Sequence, residues 1–359
     1  RLDARFSDQA STGIRAGEAW TNREPRRGEA WFYRAGSYGP LVNWRVLRGQ
    51  NVAAARDGNR IRDALEKAVA LDASLQDAYF GIGLYHYYAD VAPAAAKVLR
   101  WLLWLPGGDR AQGLREMQQA RDRGQLLRGE ADYQLQRIYL WYEHRTDDAL
   151  RILRDLDAKY AHNPVFLREV AQVEHAYRHD HPASAVAWRQ LRDRARQGEV
   201  NALGNPEVRA RLGLAAELDD MFETDTAIED LRAIIASAPA APAGALSTAY
   251  LQLAVALDRM GERDGATAAF ANAATQAPTD MRDSITARIQ QASRARPDAK
   301  RAEAYRLSLS GWRAFEQRRI DEAGTQLTRA LDLVPGDALT RVRLARLRLL
   351  GGKRRRAHG

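Results

Sequence analysis

The chain has 359 residues, of which 45% are hydrophobic and 28% charged, and its 55 basic residues exceed its 46 acidic ones, giving a formal net charge of +9. It has no cysteine, which excludes disulfide bridges, thiolate metal sites and cysteine nucleophiles. No apolar run approaches the ~20 residues that a membrane-spanning helix requires, and the valine-, isoleucine- and threonine-rich runs typical of strands are scarce, so helix is expected throughout.

The first 200 residues predict a series of helical hairpins. Residues 1–72 are expected to form divergent N-terminal hairpins, and residues 73–200 to form repeats of a more regular kind. Within the second range, 78–83 begins one first helix, 130–142 forms another, and 164–196 holds a further pair. The alternation of short apolar helices is typical of a repeat array, in which each hairpin buries its apolar face against the next.

An apolar segment interrupts this pattern at 93–105. Pro93 suits the first turn of a helix, and Pro106 followed by two glycines ends it. Its cations and tryptophans are Lys97, Arg100, Trp101 and Trp104. Three roles are open for this inserted helix: packing onto its own repeat array, docking a protein, or contact with a membrane interface, where tryptophan and arginine are stable.

The clearest repeat lies at 247–278. Small residues at Ala254 and Ala266 are spaced to let two helices cross closely, and large residues around them fill the gaps. Gly261 marks the turn between the helices, and Pro278 ends the second one. The segment therefore predicts a complete helical hairpin.

The same spacing recurs in the rest of the range 201–350. Two further hairpins are predicted at 208–239 and 304–335, with an extra helix at 279–296 between repeats. The last segment, 351–359, has two glycines and then four consecutive cations, which predicts a basic disordered tail.

At these positions the chain resembles the tetratricopeptide repeat (TPR) superfamily. The resemblance implies an all-α fold, an α-solenoid of tandem helical hairpins wound as a right-handed superhelix, whose first helices line a concave groove that binds peptides or proteins. The segment 83–114, through its Gly-Leu-Tyr, Pro93, Pro-Gly-Gly-Asp-Arg and Gly-Leu elements, is also similar to an insertion in the eukaryotic TPR family linked to inclusion-body clearance and lipid handling.

The TPR register assigns particular side chains to that groove. The predicted groove residues are Phe80, Leu84, Tyr87, Tyr88, Gln134, Ile138, Trp141, Tyr142, Tyr305, Trp312 and Phe315. Clustered aromatic side chains in a concavity are typical of interaction hot spots, so the groove predicts a protein or peptide partner. The alternative is that some of these residues belong to the core of a divergent repeat.

The best candidate for metal or catalytic chemistry is His175 with His179, since a spacing of four places both on one helix face. The order is not His-Glu-x-x-His, however, and a helix is expected to end before Pro182, so these histidines are interpreted as exposed helix-end residues. No nucleophile elbow, phosphate loop or carboxylate pair accompanies them. The sequence therefore predicts a protein that is not an enzyme, with no cofactor and no metal.

The basic charge is spread among acidic residues rather than gathered on a helix with interleaved aromatics, so no nucleic-acid partner is expected. A non-catalytic scaffold is the first predicted function. A peripheral membrane or envelope-associated factor, using the inserted helix and the basic tail, is the alternative. The chain begins at Arg1 rather than methionine, so we expect a processed or truncated product, in a bacterial periplasm or envelope rather than the cytoplasm.

Overall fold

The structure, a computed structural model, describes residues 2–92 and 107–357, with side chains described for 3–92 and 107–349. Within these ranges it consists of seventeen α-helices and one short 3-10 turn, and contains no strand. The fold class predicted from the sequence, an all-α repeat of helical hairpins, is confirmed. Helices are numbered here along the described residues.

Two compact units divide the chain, Arg1–Leu156 and Asp157–Gly359. The helices that begin in the first unit are α1 (Leu2–Arg23), α2 (Gly28–Leu47), α3 (Asn51–Leu71), α4 (Ala78–Val91), α5 (Arg110–Arg123), α6 (Arg128–Trp141) and α7 (Thr146–Lys159). From α1 to α6 each helix packs on the next one along the chain. The first unit is therefore built from neighbouring helices, as the repeat pattern predicts.

Ten helices follow in the second unit. They are α8 (Pro164–Arg178), α9 (His181–Arg196), α10 (Pro206–Asp220), α11 (Thr224–Ser237), α12 (Ala245–Arg259), α13 (Arg263–Thr275), α14 (Arg282–Arg294), α15 (Ala299–Glu316), α16 (Ile320–Leu333) and α17 (Ala338–Ala357). The three strongest predicted hairpins correspond to α10 with α11, α12 with α13, and α15 with α16. The segment predicted as an extra helix holds the 3-10 turn Thr279–Met281 and α14.

Five of the helices begin at a polar capping residue. Asp109, Asn163, Asp180, Asn205 and Asp298 each accept a hydrogen bond from a backbone N–H in the following first turn, at 2.8 to 3.3 Å. Such caps satisfy donors that the helix itself leaves unpaired. In α8, α9 and α10 a proline also occupies one of the first two positions, where its missing N–H is tolerated.

The hairpin of α12 and α13 shows how small residues set the packing. Ala254 and Ala266 are completely buried, as their spacing predicts. Gly261 forms the turn with a φ of +78°, a backbone conformation that glycine adopts without steric cost. The local sequence thus fixes both the turn and the close approach of the two helices.

The predicted ranges 1–72, 73–200 and 201–350 do not coincide with the two compact units. One buried cluster joins Ala35 of α2 and Leu65 of α3 with Ala78 and Ile82 of α4, so the core continues across residue 72. The division between the units falls inside α7. At the C-terminus α17 reaches Ala357, so most of the segment predicted as a disordered tail is helical.

Candidate partner-binding surface

The predicted groove residues of the first unit lie on two helices. Phe80, Leu84, Tyr87 and Tyr88 belong to α4, Gln134, Ile138 and Trp141 to α6, and Tyr142 follows α6 as its C-terminal cap. Phe80, Leu84 and Gln134 are half-buried. The structure therefore places these residues on two helices of one unit but gives them very different exposure.

Tyr87 and Ile138 are completely buried and are not part of any surface. The prediction that they face a groove is corrected here. Tyr87 lies where α4 crosses α5, and a Cβ atom added to Gly113 of α5 would lie 2.6 Å from the Tyr87 backbone nitrogen. Because α5 covers this face of α4, the position that the TPR register assigns to the groove belongs to the core.

Three of the predicted groove aromatics remain open to solvent. Tyr88 is 38% exposed, Trp141 49% and Tyr142 41%. The rings of Tyr88 and Tyr142 meet edge to face with centroids 5.7 Å apart, a favoured geometry for aromatic pairs. We call these three residues the tyrosine–tryptophan patch.

A cation lies against this patch. The guanidinium of Arg137 sits 4.6 Å from the centroid of the Trp141 ring and 5.8 Å from that of Tyr133. Its positive charge also counteracts the rise that burial causes in the pKa of Tyr88. Among the described residues no carboxylate pairs with Arg137, so its charge is available beside the exposed rings.

Glu143 fixes the base of the patch. Its Oε1 accepts hydrogen bonds from the Tyr87 hydroxyl at 2.5 Å and from Arg110 Nε at 2.7 Å, and its Oε2 accepts one from Arg110 Nη2 at 2.6 Å. The hydrogen bonds from Arg110 hold the pKa of Glu143 below its usual range. Burial, and then the bond to Glu143, raise the pKa of Tyr87. Since Tyr142 precedes Glu143 and contacts Tyr87, this network holds the exposed rings in place.

The groove residues predicted in the second unit are tied into that unit. The Tyr305 hydroxyl lies 2.8 Å from Thr224 Oγ1 and donates to the Phe222 carbonyl at 3.0 Å. Trp312 and Phe315 are partly buried, with ring centroids 5.2 Å apart. Tyr305 therefore links α15 to the turn before α11. Burial raises the pKa of its hydroxyl.

The inserted helix predicted at 93–105, with Lys97, Arg100, Trp101 and Trp104, lies outside the described residues, and its membrane or docking role stays a prediction. Within the ranges that are described, no helix has the length and apolar character needed to cross a bilayer.

The histidine pair predicted on α8 is separated in the structure. His179 caps the helix in a left-handed conformation with a φ of 53°, so it leaves the face that His175 occupies. His175 lies instead beside His181, the first residue of α9, with ring centroids 5.3 Å apart. Both rings approach Glu217 of α10. Sequence spacing did not predict this contact.

Comparison with known proteins finds solved structures that match this chain at low sequence identity. No family model and no curated protein sequence matches the chain. Among solved structures it is similar to the APC/C hetero-tetramer Cut9–Hcn1, at 11% identity and a TM-score of 0.29 over 95% of this chain and 46% of that chain. It is similar to the P58(IPK) TPR domain at 14% identity and a TM-score of 0.21, over 97% of this chain and 95% of that one. It is also similar to Naa15/Naa10 bound to HypK-THB at 12% identity and a TM-score of 0.23, over 99% of this chain and 66% of that one. The chain thus spans less than half the length of the first of these.

The class of protein is defined by the chain's own helices. The chain has successive hairpins of 13- to 18-residue helices from α8 to α16, with buried alanines inside the helices and glycine or left-handed turns between several of them. These features make it an all-α helical-repeat protein.

Proposed function

We propose that this chain is a non-catalytic scaffold that binds a peptide segment of a protein partner through the tyrosine–tryptophan patch of its first unit. The observation that carries the proposal is the exposure of Trp141 and of the contacting pair Tyr88 and Tyr142, with Arg137 against the Trp141 ring. Tyrosine and tryptophan bury large areas with few rotatable bonds, and they are enriched among the residues that dominate binding free energies.

The charge beside the patch specifies the kind of peptide. Arg137 offers a guanidinium that a carboxylate can pair with, and the Trp141 ring already lies against it. In a segment with an apolar or aromatic residue next to an aspartate or glutamate, the apolar side chain would pack on the exposed rings. The carboxylate would pair with Arg137. Desolvation of the cation by the partner strengthens its interaction with the ring.

Selection of a random peptide library on the full chain, followed by fluorescence anisotropy with the selected peptides, tests this proposal. We expect the Trp141→Ala variant to raise the dissociation constant by about thirtyfold or more. This corresponds to a loss of about 2 kcal/mol of binding free energy, as is typical of a hot-spot residue. The Arg137→Gln variant should weaken binding less and favour peptides without an acidic residue. Peptides that bind the wild type and the Trp141→Ala variant equally would contradict the assignment.

Leu126→Ala is the matched control. Leu126 is an exposed apolar side chain just before the start of α6, whereas Trp141 is the last residue of that helix. The two positions are separated by the helix length of roughly 20 Å. Loss of binding in both variants, with helicity unchanged by circular dichroism, would show that exposed apolar surface in general, and not the patch, captures the peptides.

A further inference from the structure

Four potential metal ligands from three helices of the second unit meet at one point. They are His175 in the last turn of α8, His181 at the start of α9, and Glu217 and Asp220 near the end of α10. One nitrogen or oxygen atom of each lies within 4.8 Å of the others. No other feature of the chain gathers two imidazoles and two carboxylates from separate helices within the described residues.

The spacing of these atoms suits a small divalent ion. Zinc bonds of about 2.0 to 2.1 Å place the corners of a tetrahedron roughly 3.3 Å apart. His181 Nδ1 lies 2.8 Å from Glu217 Oε2 and 3.9 Å from Asp220 Oδ2, and His175 Nδ1 lies 3.0 Å from Glu217 Oε1. These distances bracket that value, His175 Nδ1 also lies 3.2 Å from Glu217 Oε2, and the four ligand atoms all lie within 4.8 Å of one another. Side-chain rotations would then bring the four groups onto one ion.

The carboxylate at the centre is built into the structure. The Glu217 side chain is 4% exposed, and Ser184, itself completely buried, donates a hydrogen bond to Glu217 Oε1 at 2.9 Å. A buried carboxylate requires a compensating positive charge or several hydrogen bonds. A second residue that orients a ligand in this way is typical of metal sites.

Two histidines contact this carboxylate. Both present Nδ1 to Glu217, while their rings remain partly exposed, 46% for His175 and 33% for His181. An ion therefore has a route to the site from solvent. Imidazole with carboxylate is a ligand set that zinc accepts readily, whereas magnesium and calcium favour oxygen ligands alone.

We propose that His175, His181, Glu217 and Asp220 bind one zinc ion, which joins the turn between α8 and α9 to the neighbouring helix α10. Four protein ligands make a closed site of the structural kind. The ion would link two successive hairpins of the second unit. Because bound metal stabilises the folded state by its binding free energy, the second unit is expected to resist unfolding more strongly with zinc than without it. The site is independent of the tyrosine–tryptophan patch.

Titration of the chelator-treated full chain, prepared without an affinity tag, tests this site. Isothermal titration calorimetry with zinc sulfate should show one ion per chain, and zinc should raise the unfolding temperature. Cobalt(II) added in place of zinc should give the intense visible bands of a tetrahedral nitrogen and oxygen site. The His181→Gln and His175→Gln variants should each bind zinc at least tenfold more weakly and lose those bands.

His179→Asn is the matched control, since asparagine tolerates the left-handed backbone at this position and the imidazole removed is not a ligand. This variant should bind zinc as the wild type does. Ser184→Ala removes the hydrogen bond to Glu217 without removing a ligand, and should weaken zinc binding by about tenfold. Absence of saturable zinc binding by the folded wild type, or binding unchanged in both histidine variants, would overturn the proposal.

Discussion

A single carboxylate, that of Asp77, organises the turn between α5 and α6. Asp77 is largely buried and accepts hydrogen bonds from the backbone nitrogens of Gln125 at 2.9 Å, Leu126 at 3.0 Å and Leu127 at 2.7 Å. A Cβ atom on Gly124 would lie 2.5 Å from Asp77 Oδ1, so glycine is needed there for the carboxylate to fit. One side chain thereby satisfies three consecutive donors.

Replacement of Asp77 by alanine leaves these three N–H groups without their acceptor. Hydrogen bonds to a charged group contribute about 1.5–3 kcal/mol each, and such effects are not additive, so we expect the free energy of unfolding to fall by about 2–4 kcal/mol in urea titrations. Asp122→Ala is the control, because Asp122 is exposed and, among the described residues, pairs with its neighbour Arg121. That change should stay within about 0.5 kcal/mol. Equal effects of the two substitutions would refute the role of Asp77.

The roles of Asp77 and Glu217 could not be predicted from the sequence, because their partners are distant along the chain. A carboxylate that binds a turn 48 to 50 residues away leaves no local pattern. For the same reason the spacing of His175 and His179 gave no sign that His175 lies beside His181, on the next helix. Asn205 and Asp298, by contrast, are recognisable as caps because their partners lie three residues on.

At the level of elements, α4 and α5 cross with their backbones in contact. A Cβ atom on Gly83 would lie 2.7 Å from the Gly113 carbonyl oxygen, and one on Gly113 would lie 2.6 Å from that of Gly83. The two glycines face each other across the crossing. Any side chain at either position has to push the helices apart.

Gly83→Ala should therefore lower the free energy of unfolding, by about 1–3 kcal/mol as for other overpacked sites, in spite of the better helix propensity of alanine. Gly58→Ala in α3 is the matched control, because a Cβ atom there meets nothing within 4 Å. It should stabilise the chain by about 0.5–1 kcal/mol. Stability gained in both variants, measured by urea unfolding, would contradict the close crossing.

The hairpins of the second unit were predictable because small residues and turn residues recur at TPR spacing, as in Ala254, Gly261 and Ala266. The extent to which α4 is exposed was not predictable in this way. This helix packs against α3 through Ile82 and against α5 through Gly83. The repeat register assigned Tyr87 of this helix and Ile138 of α6 to a groove, although both are completely buried.

For the whole molecule, each of the two compact units contains a buried apolar cluster of its own. The cluster of α2, α3 and α4 belongs to the first unit, and the cluster that joins Ala314, Leu327 and Leu347 belongs to the second. In repeat proteins each hairpin is stabilised by its neighbours. Because local opening takes place in contiguous cooperative units, destabilisation at the α4–α5 crossing is expected to act mainly on the first unit.

Hydrogen exchange with mass spectrometry on the Gly83→Ala variant checks this expectation. Amide exchange should accelerate in residues 2–92 and 107–156, while residues 157–357 keep the protection they have in the wild type. The Gly58→Ala variant provides the reference, with no acceleration in either range. Equal acceleration in both units of the Gly83→Ala variant would show that the chain unfolds as one cooperative body.

The hydrogen bond between Tyr87 and Glu143 also gives the first unit an optical reporter. Because the pKa of this buried phenol is raised from its ordinary value of 10.0, Tyr87 stays protonated at alkaline pH values where an exposed tyrosine has already ionised. A phenolate absorbs at longer wavelength than a phenol. Because burial raises the pKa of Tyr305 in the second unit as well, the late part of the alkaline absorbance change that a Tyr87→Phe variant loses is the part that records opening of the first unit.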